Sequence, residues 1–221
     1  MKKKRLVKNN LMLFCSILLC SQSLCSQSIE KWFVNMPDIL NPTLSKQNRL
    51  ELLEYHKAGQ GDSISNVFKH EAYLLSIDTL KQQIVVKNTK SSVFEMKIFR
   101  TEDSTYMIGI IRTVCAPVCM STVEFYDTAW NLIPVRFKMP AAIEWLDVKS
   151  IPSEKIDIEW AKNLMGISFI SLSFSKKDQT IVAKNNTLDF ISAEDRKVIA
   201  PYVSDKPILY ELKGRTWQRR P

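Results

Sequence analysis

The stretch from Thr105 to Trp130 constrains the fold more than any other. Its first ten residues are largely apolar at both parities, a pattern expected of a strand covered on both faces. A Cys-Ala-Pro-Val-Cys break follows. Val123 and Phe125 then alternate with Thr122 and Glu124, as in a partly exposed strand. Together these make a central hairpin. If residues 116–118 form its loop, Cys115 and Cys119 stand opposite each other. Counting by twos then puts both thiols on one face with Ile111, Thr113, Ser121 and Val123. Opposed Cβ atoms lie about 4.5–5.5 Å apart and a disulfide wants about 3.5–4.5 Å, so slight closing suffices. Cys-x-x-x-Cys is not the redox-active Cys-x-x-Cys spacing. A structural disulfide is therefore the reading, with a free pair as its alternative. So short a loop would contribute only about 2 kcal/mol of stability.

The N-terminus reads as an address. Lys2, Lys3, Lys4, Arg5 and Lys8 precede an apolar run from Leu11 to Cys20, and small or polar residues follow to Ser28. That order is a secretory signal peptide over residues 1–26, and the run is too short to span a bilayer. A retained signal anchor is the alternative. Lipidation lacks the small residue needed before Cys20 or Cys25, each of which follows a leucine. Cleavage would leave a mature N-terminus between residues 22 and 29. Without those five cations the formal charge falls from +8 to +3, and Lys213, Arg215, Arg219 and Arg220 supply four of the remaining positives. The body is near neutral, which argues against a nucleic-acid partner.

About 195 residues remain, enough for one large domain or two small ones. Ser28–Met36 reads as a short helix stopped by Pro37. Ser45 caps a helix over Lys46–Ala58, with a stripe of Leu50, Leu53 and Lys57 and a stop at Gly59. Short strands follow at Tyr73–Ile77, Gln83–Lys87 and Val93–Phe99. Beyond the hairpin, Ser153 caps a helix over Glu154–Met165. Strands Ile167–Phe174 and Thr180–Lys184, a helix over Ser192–Ile199, a strand at Pro207–Lys213 and a basic tail complete the chain. Leu75–Asn88 aligns without gaps to Leu172–Asn185, with seven of fourteen positions identical. The expected fold class is α+β, mainly antiparallel sheet with a few helices. It would be built as two related helix-plus-sheet halves over 27–150 and 151–221.

Reactive constellations are not evident. His56 and His70 lack a second ligand at metal spacing, and there is no nucleophile elbow or glycine-rich phosphate loop. Glu51 and Glu54 share a helix face, as solvated acids commonly do. The five tryptophans are scattered, which suits packing. No cofactor and no metal are expected. Four triplets place a hydroxyl directly after Asp: Asp62-Ser63, Asp78-Thr79, Asp103-Ser104 and Asp127-Thr128. Such residues are ordinary turn formers. The triplets also resemble O-glycosylation sites of exported Bacteroidales proteins, making Ser63, Thr79, Ser104 and Thr128 candidates.

Met36-Pro37, Pro42, Arg49-Leu50, Thr113, Pro117, Ser121, Phe125-Tyr126 and Trp130 together resemble a Bacteroidales family of exported proteins, domain of unknown function 3256, over roughly residues 30 to 217. The resemblance implies export and lends no catalytic residue. The expected function is a non-enzymatic periplasmic or cell-surface protein of a Gram-negative cell. It would bind another protein or an envelope component, with no membrane span after cleavage. The alternative is an envelope hydrolase or other cofactor-free enzyme whose dispersed site draws on Glu51, Glu54, His56 and His70.

Overall fold

The computed structural model describes residues 28–101 and 105–220. The expected signal peptide lies outside them. Among the described residues, four α-helices and two antiparallel sheets make an α+β fold. The first sheet is a six-stranded meander: β1 (Ser63–Ser65), β2 (Glu71–Asp78), β3 (Gln83–Thr89), β4 (Ser92–Arg100), β5 (Tyr106–Cys115) and β6 (Cys119–Tyr126). The second holds β7 (Ile170–Phe174), β8 (Thr180–Asn185), β9 (Ile208–Lys213) and β10 (Thr216–Arg219), in the order β10-β9-β8-β7.

Alternation along the strands sorts the first sheet's residues between two cores. One parity, including Ile84, Val86, Phe94, Met96, Ile108 and Ile110, packs against α1 (Ile29–Asn35) and α2 (Lys46–Lys57). The other parity, including Phe99, Met107, Ile111 and Phe125, packs against the second sheet with α3 (Ile158–Leu164) and α4 (Ala193–Ile199). That second core joins residues from both sides of position 150. As expected for a strand covered on both faces, Met107 to Ile111 are buried without a break. Gly109 sits in that run because β7 crosses it. A Cβ there would stand 2.7 Å from the Phe174 ring and 2.8 Å from the Phe99 ring.

Helix α2 starts at the expected cap, where the Ser45 hydroxyl accepts from the Asn48 amide. It is followed by Gly59 at φ 66°, a left-handed stop that glycine adopts without cost. Its buried stripe is Arg49, Leu52 and Leu53, while Leu50 and Lys57 are exposed. The expected stripe of Leu50, Leu53 and Lys57 is corrected by the buried arginine. Its guanidinium donates to the carbonyls of Val34, Met36 and Leu44 and pairs with Asp38 at 3.0 Å. Helix α3 also starts later than expected. Pro152 accepts from Lys155 and Ile156 in a turn, and Asp157 rather than Ser153 provides the cap.

Nor is the basic C-terminus a tail. It forms β10, because Trp217 is buried against Phe125 at 5.6 Å and Phe99 at 5.4 Å. Both aligned repeats are β-hairpins, and Ser76↔Val85 with Ile77↔Ile84 matches Ser173↔Val182 with Phe174↔Ile181. The likeness stops at a bulge between Leu74 and Ser76, which leaves Leu75 54% exposed where its counterpart Leu172 is 4% exposed. The neighbours differ too: β2 lies inside a sheet, and β7 is an edge.

Candidate functional site

The second sheet covers only part of the first. On the uncovered part, a groove of about 860 Å3 opens between the loop before β2 and the β3–β4 turn. Lys69 and His70 come from the loop, Lys87 from β3 and Lys90 from the turn, with Tyr73 of β2 beside them. Tyr73 and Lys87 are cross-strand partners and so project on one face. The loop is set by Asn66, whose buried side chain accepts from the amides of Phe68 and His70 and donates to the Asn88 carbonyl. Asn88 is itself paired with Asn41 through two side-chain hydrogen bonds. This frame holds Lys69 at φ 62°, a backbone conformation that non-glycine residues seldom take. Glu71, the acid of the groove, accepts from the Tyr73 hydroxyl, which raises that phenol above its ordinary value.

A second polar cluster is buried where the sheets meet. Strand β7 lies with its free edge against β4, β5 and β6. Its backbone groups are satisfied there by side chains. Glu95 Oε1 accepts from the Phe174 amide at 3.1 Å, and Ser121 Oγ accepts from the Leu172 amide at 2.9 Å. Gln83 Nε2 donates to the Phe174 carbonyl at 3.1 Å, and Lys97 Nζ donates to the Ser175 carbonyl at 2.6 Å. Buried polar groups must be paired, and this set pairs an edge strand that no further strand completes. Burial pushes the Glu95 carboxyl up to about 7 against the opposing pull of the Phe174 amide, Gln83 and Lys97. Burial also lowers the Lys97 ammonium, with Glu95 acting the other way.

That shift has a consequence for stability. A carboxyl that titrates near 7 when folded and near about 4.3 when unfolded binds its proton more tightly in the native state. Its contribution is therefore fully present below about pH 4.3, is lost as pH rises to about 7, and is constant above that. Glu95→Gln mimics the protonated form and still offers an acceptor to Phe174. The variant should gain on the wild type by on the order of 3 kcal/mol between about pH 4 and pH 8. Urea titrations across that range measure the difference. Parallel stability curves would rule the effect out.

The residues singled out from sequence are dispersed. His56 pairs with Asp62 at 2.6 Å on an exposed surface, and Tyr55 is hydrogen-bonded to Glu51. Glu54 is exposed. The groove gathers His70 but none of Glu51, Glu54 and His56. Cys115 and Cys119 are cross-strand partners at disulfide distance, with Cα atoms 3.9 Å apart. Thr79 and Thr128 lie on exposed turns, Ser63 opens β1, and Ser104 is outside the described residues. The aspartates before Thr79 and Thr128 do the turn work: Asp78 accepts from the Lys81 amide, and Asp127 from the amides of Ala129 and Asn131. Among the described residues, no group of three or more His, Cys, Asp or Glu could hold a metal ion. No described helix is long and apolar enough to cross a membrane. Sequence reading missed Gln83, Glu95 and Lys97. The signal was two charges at one parity inside a strand that is otherwise apolar.

Residues 21–217 match the model of a family described as "Protein of unknown function (DUF3256)". The chain belongs to the DUF3256 family. The match contains the first sheet, the groove, the buried cluster and the second sheet up to the middle of β10. Among solved structures, the chain is similar to a domain of an uncharacterized protein from Porphyromonas gingivalis W83. The TM-score is 0.70 at 18% identity, covering 87% of this chain and 97% of that one. At that identity the likeness is one of fold. No curated protein matches the sequence.

Proposed function

We propose that this DUF3256 protein is exported to the periplasm or outer surface of a Gram-negative cell. There it acts as a non-enzymatic binding protein, with the groove between the β2 loop and the β3–β4 turn as its ligand site. One observation carries the reading. Among the described residues Lys69, Lys87 and Lys90 form no ion pair, yet all three converge on one preformed concavity. Uncompensated cations around a groove of ligand size are characteristic of a binding site; small-molecule sites span about 300–1,000 Å3. Export rests on the basic and apolar leader, and the disulfide suits an oxidising compartment.

The test uses protein isolated from the producing cells. Its N-terminus should fall between residues 22 and 29, and it should co-sediment with the envelope fraction. A Lys87→Glu, Lys90→Glu variant should stay in the supernatant with an unchanged melting temperature. Undiminished co-sedimentation of that variant would remove the groove from the function, and an N-terminus at Met1 would remove the export.

A further inference from the structure

We infer that the groove binds an acidic saccharide, a sugar chain carrying carboxylate or phosphate groups. The inference rests on the groove being the ligand site. Three lysines against the single carboxylate of Glu71 leave the lining at +2 with His70 neutral. The Glu71 carboxylate is already engaged by the Tyr73 hydroxyl. The cations arise from three separate elements, the loop before β2, β3 and the β3–β4 turn. A bare phosphate is far smaller than about 860 Å3, so the charged group must be attached to a larger body.

The rest of the lining indicates what that body is. Tyr73 is 38% exposed, and its hydroxyl is held by Glu71, which fixes the ring as a flat surface at the groove. Ser91 adds a hydroxyl at the turn, while the Thr89 hydroxyl is shared with that of Ser92 and accepts from the Ser91 amide. An aromatic face with nearby hydroxyls and cations suits a sugar ring, which has apolar C–H faces, a hydroxyl rim and here an acid. An acidic peptide fits less well. Peptides in extended form gain affinity by pairing with a free strand edge. Strands β2 and β3 are each paired on both sides, so they offer the groove side chains and no open backbone ladder. A nucleic acid would want a row of stacking rings, and the groove lining supplies only Tyr73 and the smaller His70 among the described residues.

Calorimetric titration of the purified protein would use five probes: an oligogalacturonate, a neutral galactan of equal length, a sugar phosphate, inorganic phosphate and a polyglutamate peptide. The acidic saccharide should bind at least about tenfold more tightly than the neutral one, as expected for charge-assisted hydrogen bonds. Binding should weaken as salt is raised. Lys87→Ala with Lys90→Ala should lose about tenfold or more, Tyr73→Ala should weaken both saccharides, and Lys149→Ala should change nothing. Whether oligogalacturonate or sugar phosphate binds better assigns the acid. Equal binding of acidic and neutral chains, tighter binding of polyglutamate, or no binding of either acidic sugar would each overturn the ligand class. If the acidic sugars fail while envelope co-sedimentation still depends on Lys87 and Lys90, the groove remains the site and only its ligand has been misassigned.

Discussion

Arg49→Met should cost about 3–5 kcal/mol of unfolding free energy, although it replaces a cation with an apolar chain of similar reach. The Arg49 side chain is wholly shielded from solvent, and its terminal nitrogens bond three carbonyls on either side of the Asp38–Leu40 turn. Apolar replacement of a buried ion pair can be neutral when both partners are exchanged. Here the partners are backbone groups of Val34, Met36 and Leu44, which no substitution removes and which would be left buried and unpaired. Arg49→Lys should recover only part of the loss, because one ammonium cannot reproduce a planar fork. Urea denaturation gives the magnitude, and hydrogen exchange should show residues 29–44 opening first. A loss of Arg49→Met below about 1 kcal/mol would show that water or chain movement satisfies those carbonyls.

Gly109→Ala should cost about 1–3 kcal/mol and Gly109→Val more, by overpacking rather than by loss of contact. The obstructing atoms belong to Phe174 and Phe99, which meet edge-on at 5.2 Å, with Trp217 against Phe99 at 5.4 Å. All three rings are buried. Phe174→Ala alone creates a cavity and should destabilise by about 3–5 kcal/mol. In the Phe174→Ala background, however, the added cost of Gly109→Val should shrink sharply. Additive losses in that double-mutant cycle would place the clash elsewhere.

The hairpin around Cys115 and Cys119 was legible because its information is local. Apolar residues at both parities, a short Pro-containing loop and the count by twos fix register without knowing what packs outside. Helix α2 was legible in extent and cap but not in facing. Arg49 carries a charge that sequence reading assigns to solvent, and its burial depends on carbonyls five to fifteen residues away. Glu95 and Lys97 posed the same problem at longer range. Their partners on β7 and the turn after it lie 78 to 81 positions along the chain. Parity shows that they share a face with Phe99 and leaves open what covers that face. Of the groove only His70 was singled out in the sequence, because its shape depends on where the second sheet stops. The basic C-terminus misled for a related reason: Trp217 outweighs its charged neighbours once Phe99 and Phe125 are in place.

Strand β7 also bears on how this protein would fail. Its outward edge is occupied by the side chains of Gln83, Glu95, Lys97 and Ser121, with no described strand hydrogen-bonded to it through the backbone. Should the second sheet lift away from the first, those side chains withdraw together. The edge is then bared along with Leu172 and Phe174, both buried in the native state. An apolar strand with an unpaired ladder is a template for another copy of itself. Aggregation would then begin at β7 while both sheets remained folded, and it would be fastest under conditions that loosen the contact between them rather than under those that melt the chain.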